Sequence, residues 1–97
     1  MYMVIRRYSV QPSKVDEVVR KVDEQYLEKL HEIPGFEGYY VLDSGDGKLS
    51  SVTVSADKDS AHATTRLSKE WVDTWLPDVH LELVETVEGP VVVHGGS

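Results

Sequence analysis

Apolar positions along this chain switch between two periods. Residues 2–10, YMVIRRYSV, are rich in β-branched and aromatic types and read as a strand, which Pro12 and Ser13 end. Val15, Val18, Val19, Val22, Tyr26, Leu30 and Ile33 then recur at helical spacing and predict a helix over 13–32. Ser13 followed three later by Asp16 has the form of a capping box, with Glu17 also in the first turn. Lys29 and His31 sit in the last turn, where positive charge suits the helix dipole, and Pro34-Gly35 stops the helix.

Residues 36–43 return to strand character. The turn SGDGK, 44–48, holds Asp-Gly, a strong hairpin signal, and residues 49–56 form the third strand. Asp57 or Asp59 caps a second helix that runs to Leu76 and stops before Pro77. Its apolar stripe is Ala61, Thr64, Leu67 or Ser68, Trp71 and Trp75, with Val72 and Leu76 beside it. Residues 81–94 form a last strand, broken near Gly89-Pro90, where proline removes a ladder donor and implies a bulge or an edge. The order β-α-β-β-α-β points to a ferredoxin-like α+β domain: a four-stranded antiparallel sheet with both helices on one face. The chain reads as one domain, 1–97, with its core over 2–94 and a frayed tail at 95–97.

The stretch IPGFEGYYVL, 33–42, raises the question of a phosphate loop. A dinucleotide fingerprint opens a helix, and a P-loop ends in Gly-Lys-Ser/Thr; here the glycines follow a helix and open a strand. Gly35 is a helix-stop residue needing positive φ, and Gly38 marks a close approach of a side chain or second chain. Adjacent Tyr39 and Tyr40 place one aromatic on each sheet face. Val4, Tyr8 and Val10 share one face of the first strand and Met3 and Ile5 the other; Val91, Val92 and Val93 are apolar on both. Two helices cover only one face, so a second copy of the chain is expected on the other, as a homodimer.

The 97 residues carry 17 acidic and 10 basic side chains, a net charge of −7. Basic residues are scattered, which argues against nucleic-acid binding. No apolar run approaches the roughly 20 residues of a membrane span. The start has the wrong order for a signal peptide, with arginines after the apolar stretch. The chain contains no cysteine, which excludes disulfides, thiolate metal sites and cysteine nucleophiles and is compatible with the cytoplasm.

RRYSVQP, IPGFEGYYVL, the Asp-Gly hairpin, SVTV and TRLSKEWV together resemble the antibiotic-biosynthesis-monooxygenase-like domains of the dimeric α+β barrel superfamily, over roughly residues 2–94. The resemblance implies two ferredoxin-like units packed sheet to sheet, each with a pocket between its sheet and its helices or loops. It also implies one of two chemistries: oxidation of phenols or quinols by molecular oxygen without metal or flavin, or haem degradation. Many small members have no established activity. The oxygenase branch places an asparagine beside a tryptophan, with a tyrosine and an arginine; the haem branch uses an asparagine, a tryptophan and a histidine. This chain has no asparagine.

Within that frame Arg7 is a candidate to hold a phenolate or carboxylate, with a rim ion pair as its plainer role. His80, before the last strand, and His62, one turn before Arg66, are the candidate proton carriers. Tyr39, Tyr40, Ser51, Thr53, Trp71 and Trp75 are candidate contacts for a small aromatic ligand; each also suits core or interface packing. No His-Glu-x-x-His occurs, and neither a metal site nor a resident cofactor is expected. The reading is a cofactor-independent monooxygenase acting on a small phenol or quinol, or else a non-catalytic binding or structural dimer of the same fold.

Overall fold

The computed structural model describes residues 1–96. Its elements are β1 (Tyr2–Ser9), a 3-10 turn (Pro12–Lys14), α1 (Val15–Lys21), a π-turn (Val22–Tyr26), α2 (Leu27–His31), β2 (Phe36–Gly45), β3 (Lys48–Ser55), α3 (Lys58–Trp75) and β4 (Glu82–Pro90). The strands form one antiparallel sheet in the order β2-β3-β1-β4, the ferredoxin-like arrangement the pattern implied.

The first helical segment is not the single helix expected over 13–32. Its buried positions Val18, Tyr26 and Leu30, with half-buried Val22 between them, are four apart. In a pure α-helix each such step drifts about 40° round the axis. The wider π-turn resets the phase, so Tyr26 and Leu30 stay over the sheet. The expected capping box does not form. Ser13 lies inside the 3-10 turn, and neither helical start there has a side-chain cap. At the second helix Asp57 is the cap: its Oδ1 accepts from the Ser60 N–H at 2.8 Å.

The hairpin between β2 and β3 turns on Asp46 (φ 55°) and Gly47 (φ 76°), the two positive φ values of a type I′ turn. A Cβ at Gly47 would strike the Val10 carbonyl oxygen, whose residue also donates its N–H to Gly47 O at 2.9 Å. Gly35 has φ 87°, as a helix stop requires, and backs onto Ser60.

Register sorts the two faces into rows. Facing the helices are Tyr39–Thr53–Val4–Glu88, Val41–Ser51–Arg6–Thr86 and Asp43–Leu49–Tyr8–Leu83. On the outer face runs Tyr40–Val52–Ile5–Val87, with Leu42–Ser50–Arg7–Glu85 beside it. Tyr40 is 65% exposed, and Leu42 and Val87 are also open to solvent. The outer face is therefore apolar and uncovered in one protomer. Val91 to Val93 do not contribute to it as expected: β4 ends at Pro90 on the sheet edge, and Val92 is 87% exposed beyond it. The expected tail ends on Ser97, which lies outside the described residues.

The core cluster gathers Val10, Val15, Val18, Tyr26, Leu30, Leu49, Trp71, Leu76 and Val79 at one end of the helix–sheet layer. The other end is built from smaller buried residues, Val4, Thr53, Ser55, Ala61 and Thr64. Side-chain size thus decides where space for a ligand exists. Large rings leave irregular gaps between them, while small residues close up.

Candidate functional site

A cavity opens at the large-residue end, between the sheet and both helical segments. Tyr39 and Val41 of β2, Leu49 and Ser51 of β3 and Tyr8 of β1 form its floor. Val18, Val22 and Tyr26 wall one side, Ser68, Trp71 and Val72 the other, and Leu76 and Leu81 close the end. Its volume is about 40 Å³. One water occupies roughly 10–15 Å³ on this measure, so the cavity holds about three waters and no aromatic ring as it stands. A wider groove of about 340 Å³ adjoins it between α1 and β2, and Val22, Tyr39 and Val41 line both spaces. Displacing this partition would merge them.

Three rings form the middle of the site. Tyr26 meets Tyr39 edge-on at 5.5 Å and tilts against Trp71 at 5.2 Å. Two polar atoms there are stranded: the Tyr26 hydroxyl and Trp71 Nε1 are buried and have no hydrogen-bond partner. Indole N–H is a donor only, so Trp71 needs an acceptor that the protein does not supply. Burial pushes the Tyr26 hydroxyl up to about 12. Ser68 lies close enough to oppose that shift, but no bond of normal geometry closes between them. Burial also raises Tyr39, with Tyr26 and Tyr8 adding to the shift and Arg6 opposing it. Both phenols are held neutral.

Arg6 is the charged group of this layer. It is 3% exposed and lies beside Ser51 in its row of the inner face. Its guanidinium donates to Thr65 Oγ1 of α3. Thr65 in turn donates to the Ala61 carbonyl at 3.2 Å. Among the described residues no carboxylate is within ion-pair distance of Arg6.

The residues singled out from sequence divide sharply. Tyr39, Ser51 and Trp71 stand in the cavity wall. Arg7 does not: it points to the outer face and pairs with Glu85 at 2.9 Å, its plainer role. Tyr40 is on that outer face as well. Thr53 is fully buried under α3, away from the wall, and its hydroxyl lacks a partner. Trp75 is 45% exposed, because α3 ends there and Leu76 takes the buried place at its end. His62 is nine residues from Trp71, about 13 Å along the helix. It sits against Tyr2, 3.4 Å from Glu88. His80 occupies an exposed loop at φ 56° with no partner in the cavity wall. The wall contains no histidine and no carboxylate.

Tyr8, Tyr26, Ser68 and Arg6 are the site residues that sequence reasoning passed over. Tyr26 and Ser68 were visible only as members of helical stripes. Arg6 was legible in principle: it alternates in phase with Val4 and Tyr8, which places it on the covered face. No group of three metal-ligating side chains occurs among the described residues, and no helix there is long and apolar enough to cross a membrane.

A ferredoxin-like sheet with an aromatic, hydroxyl-lined cavity under its helices defines a small-molecule-binding α+β protein. The sequence matches the family described as Antibiotic biosynthesis monooxygenase over residues 1–74, and the chain belongs to that family. No curated protein matches it. Among solved structures it is similar to a monooxygenase from the gene ActVA-Orf6 of Streptomyces coelicolor in complex with the ligand Nanaomycin D. That match has 17% identity and a TM-score of 0.73, covering 99% of this chain and 92% of that one. SnoaB, a cofactor-independent oxygenase from Streptomyces nogalater, is 15% identical with a TM-score of 0.69, covering 96% and 94%. A dimeric ferredoxin-like protein from an uncultured marine organism is 10% identical with a TM-score of 0.75, covering 99% and 98%. At these identities the likeness concerns the fold.

Proposed function

We propose that this protein is a homodimeric, cofactor-independent monooxygenase that binds a small aromatic phenol or quinol in the cavity under α3. The observation that carries the reading is the pair of stranded donors, Tyr26 Oη and Trp71 Nε1, in the wall of an apolar, ring-lined space. Buried donors without acceptors are costly, and a ligand oxygen placed between them meets both needs. Ser68, one turn before Trp71, adds a hydroxyl where the oxygenases this chain resembles use an asparagine amide. The apolar surroundings exclude water and strengthen each of these contacts.

The reaction balances without an outside reductant. A phenol with a free ring position reacts with one molecule of oxygen; one oxygen atom becomes the second carbonyl of the quinone and the other leaves as water. The substrate gives up four electrons and the oxygen molecule takes them. The protein's part is to orient the ring, keep water out and donate to the oxygen bearing negative charge. The exposed row Tyr40–Val52–Ile5–Val87 is the surface we assign to the second subunit.

The narrowness of the cavity and the absent asparagine favour a second reading, a dimer of the same fold that binds an aromatic molecule without transforming it. Oxygen uptake with a panel of hydroquinones and fused-ring phenols separates the two. The oxygenase reading expects one oxygen consumed per quinone formed, with the rate falling in Trp71→Phe. Saturable binding of the panel with no uptake would refute catalysis and leave the binding reading.

A further inference from the structure

We infer that the cavity selects an aromatic oxyanion over its neutral acid, and that Arg6 is the residue that selects it. The inference rests on the reading that the cavity under α3 takes an aromatic ligand.

A guanidinium offers five N–H donors and a charge that cannot be removed. Arg6 is buried, yet it contacts one hydroxyl, Thr65 Oγ1, whose own proton is spent on the Ala61 carbonyl. A buried charge normally has a counter-ion. The acids elsewhere on the sheet are engaged with other groups: Glu85 pairs with Arg7 on the opposite face, and Glu88 with His62 and Tyr2. The remaining groups that could ionise toward Arg6 are phenols: Tyr8 on its own strand, Tyr39 across the sheet and Tyr26 on the π-turn. Burial keeps Tyr26 and Tyr39 neutral even against the pull of Arg6. The protein therefore supplies no negative charge to this place.

The cavity is the adjoining empty space. Ser51, in its wall, is the direct cross-strand neighbour of Arg6, and Tyr8, also in the wall, is two residues along the same strand face. With no histidine or carboxylate in that wall, nothing there removes a proton from a bound acid. A ligand that arrives already ionised meets a guanidinium lacking a partner, while its neutral form leaves that charge uncompensated. Phenolates and aromatic carboxylates share this chemistry.

The test uses 4-nitrophenol, whose ionisation is read by absorbance, and compares benzoate with benzamide as a carboxylate and its neutral counterpart. The bound nitrophenol should titrate about one unit below the free compound, a roughly tenfold preference for the anion. Arg6→Gln should abolish that preference and Arg6→Lys should keep part of it. If Arg6→Gln does not fold, Thr65→Val removes the single hydrogen bond that orients the guanidinium and should reduce the shift. Benzoate binding more tightly than benzamide would extend the class to aromatic acids; benzoate rejected with the nitrophenol shift intact would narrow it to phenolates. Nitrophenol bound with an unchanged titration, or a shift that survives Arg6→Gln, overturns the inference while leaving the cavity reading in place. Failure of every probe, neutral and charged, to bind overturns both.

Discussion

Tyr26→Phe deletes one oxygen from the centre of the site, and it should make the empty protein more stable while weakening what it binds. The hydroxyl belongs to a residue that is 2% exposed and has no partner. An unsatisfied buried polar group costs about 1–3 kcal/mol. Phenylalanine keeps the ring that packs on Tyr39 and Trp71, so no carbon contact is lost. Water in the cavity offsets part of the penalty, which leaves a gain of about 1 kcal/mol. For a domain of this length that raises Tm by roughly 4–8 °C. Ligand binding should move the other way. A hydrogen bond to a charged acceptor contributes about 1.5–3 kcal/mol, so Kd for 4-nitrophenolate should rise about tenfold or more. Urea melts of the unliganded proteins and an absorbance titration read the two halves separately. A variant less stable than the parent by about 1 kcal/mol or more, with Kd unchanged, would show that the hydroxyl serves the fold and would refute its assignment to a ligand.

The raised Tyr26 hydroxyl also sets an alkaline limit. Its folded value of about 12 exceeds the ordinary 10, so the stability present below pH 10 is lost as pH rises through 12. The loss is about 2.7 kcal/mol from this group, and Tyr26→Phe should flatten the fall in melts taken across that window. Asp57→Ala removes the cap of α3 and should cost about 1 kcal/mol in a denaturant melt, with binding unaffected; a neutral result would mean that the Ser60 contact contributes nothing. Val87→Asp puts a charge into the exposed outer row and should convert dimers to monomers by light scattering after size exclusion, whereas an undisturbed dimer would remove that row from the interface. Val22→Ala thins the partition between cavity and groove and should speed association of 4-nitrophenol in stopped flow, while Val19→Ala, which lines only the groove, should not; equal rates in both would place the ligand's path elsewhere.

What the chain's pattern disclosed, and what it concealed, follows one physical division. Alternation and helical spacing report which face a residue presents to bulk apolar surroundings, and that was enough for every strand, the Asp46-Gly47 turn and the cap at Asp57. The same periodicities say nothing about residues whose position depends on where an element ends or changes pitch. Trp75 fits the stripe of α3 but lies at its last residue, and the continuous spacing from Val18 to Leu30 needs a π-turn that no single residue announces. Polar residues on a covered face are the deeper case. Arg6 and Ser51 look like ordinary strand positions, and Arg7 looks as suitable as Arg6 until register assigns them to opposite faces. Covering Arg6 beneath α3 with only a threonine for company opposes folding, as does burying the Tyr26 hydroxyl and the Trp71 N–H without partners. Three such groups gather round one small apolar cavity rather than scattering through the core. A fold under selection for stability alone would replace them with carbon at little loss of packing. Their concentration where a ring could enter is the strongest physical reason to look for the ligand there, and it is local consistency, not its violation, that sequence periodicity is able to report.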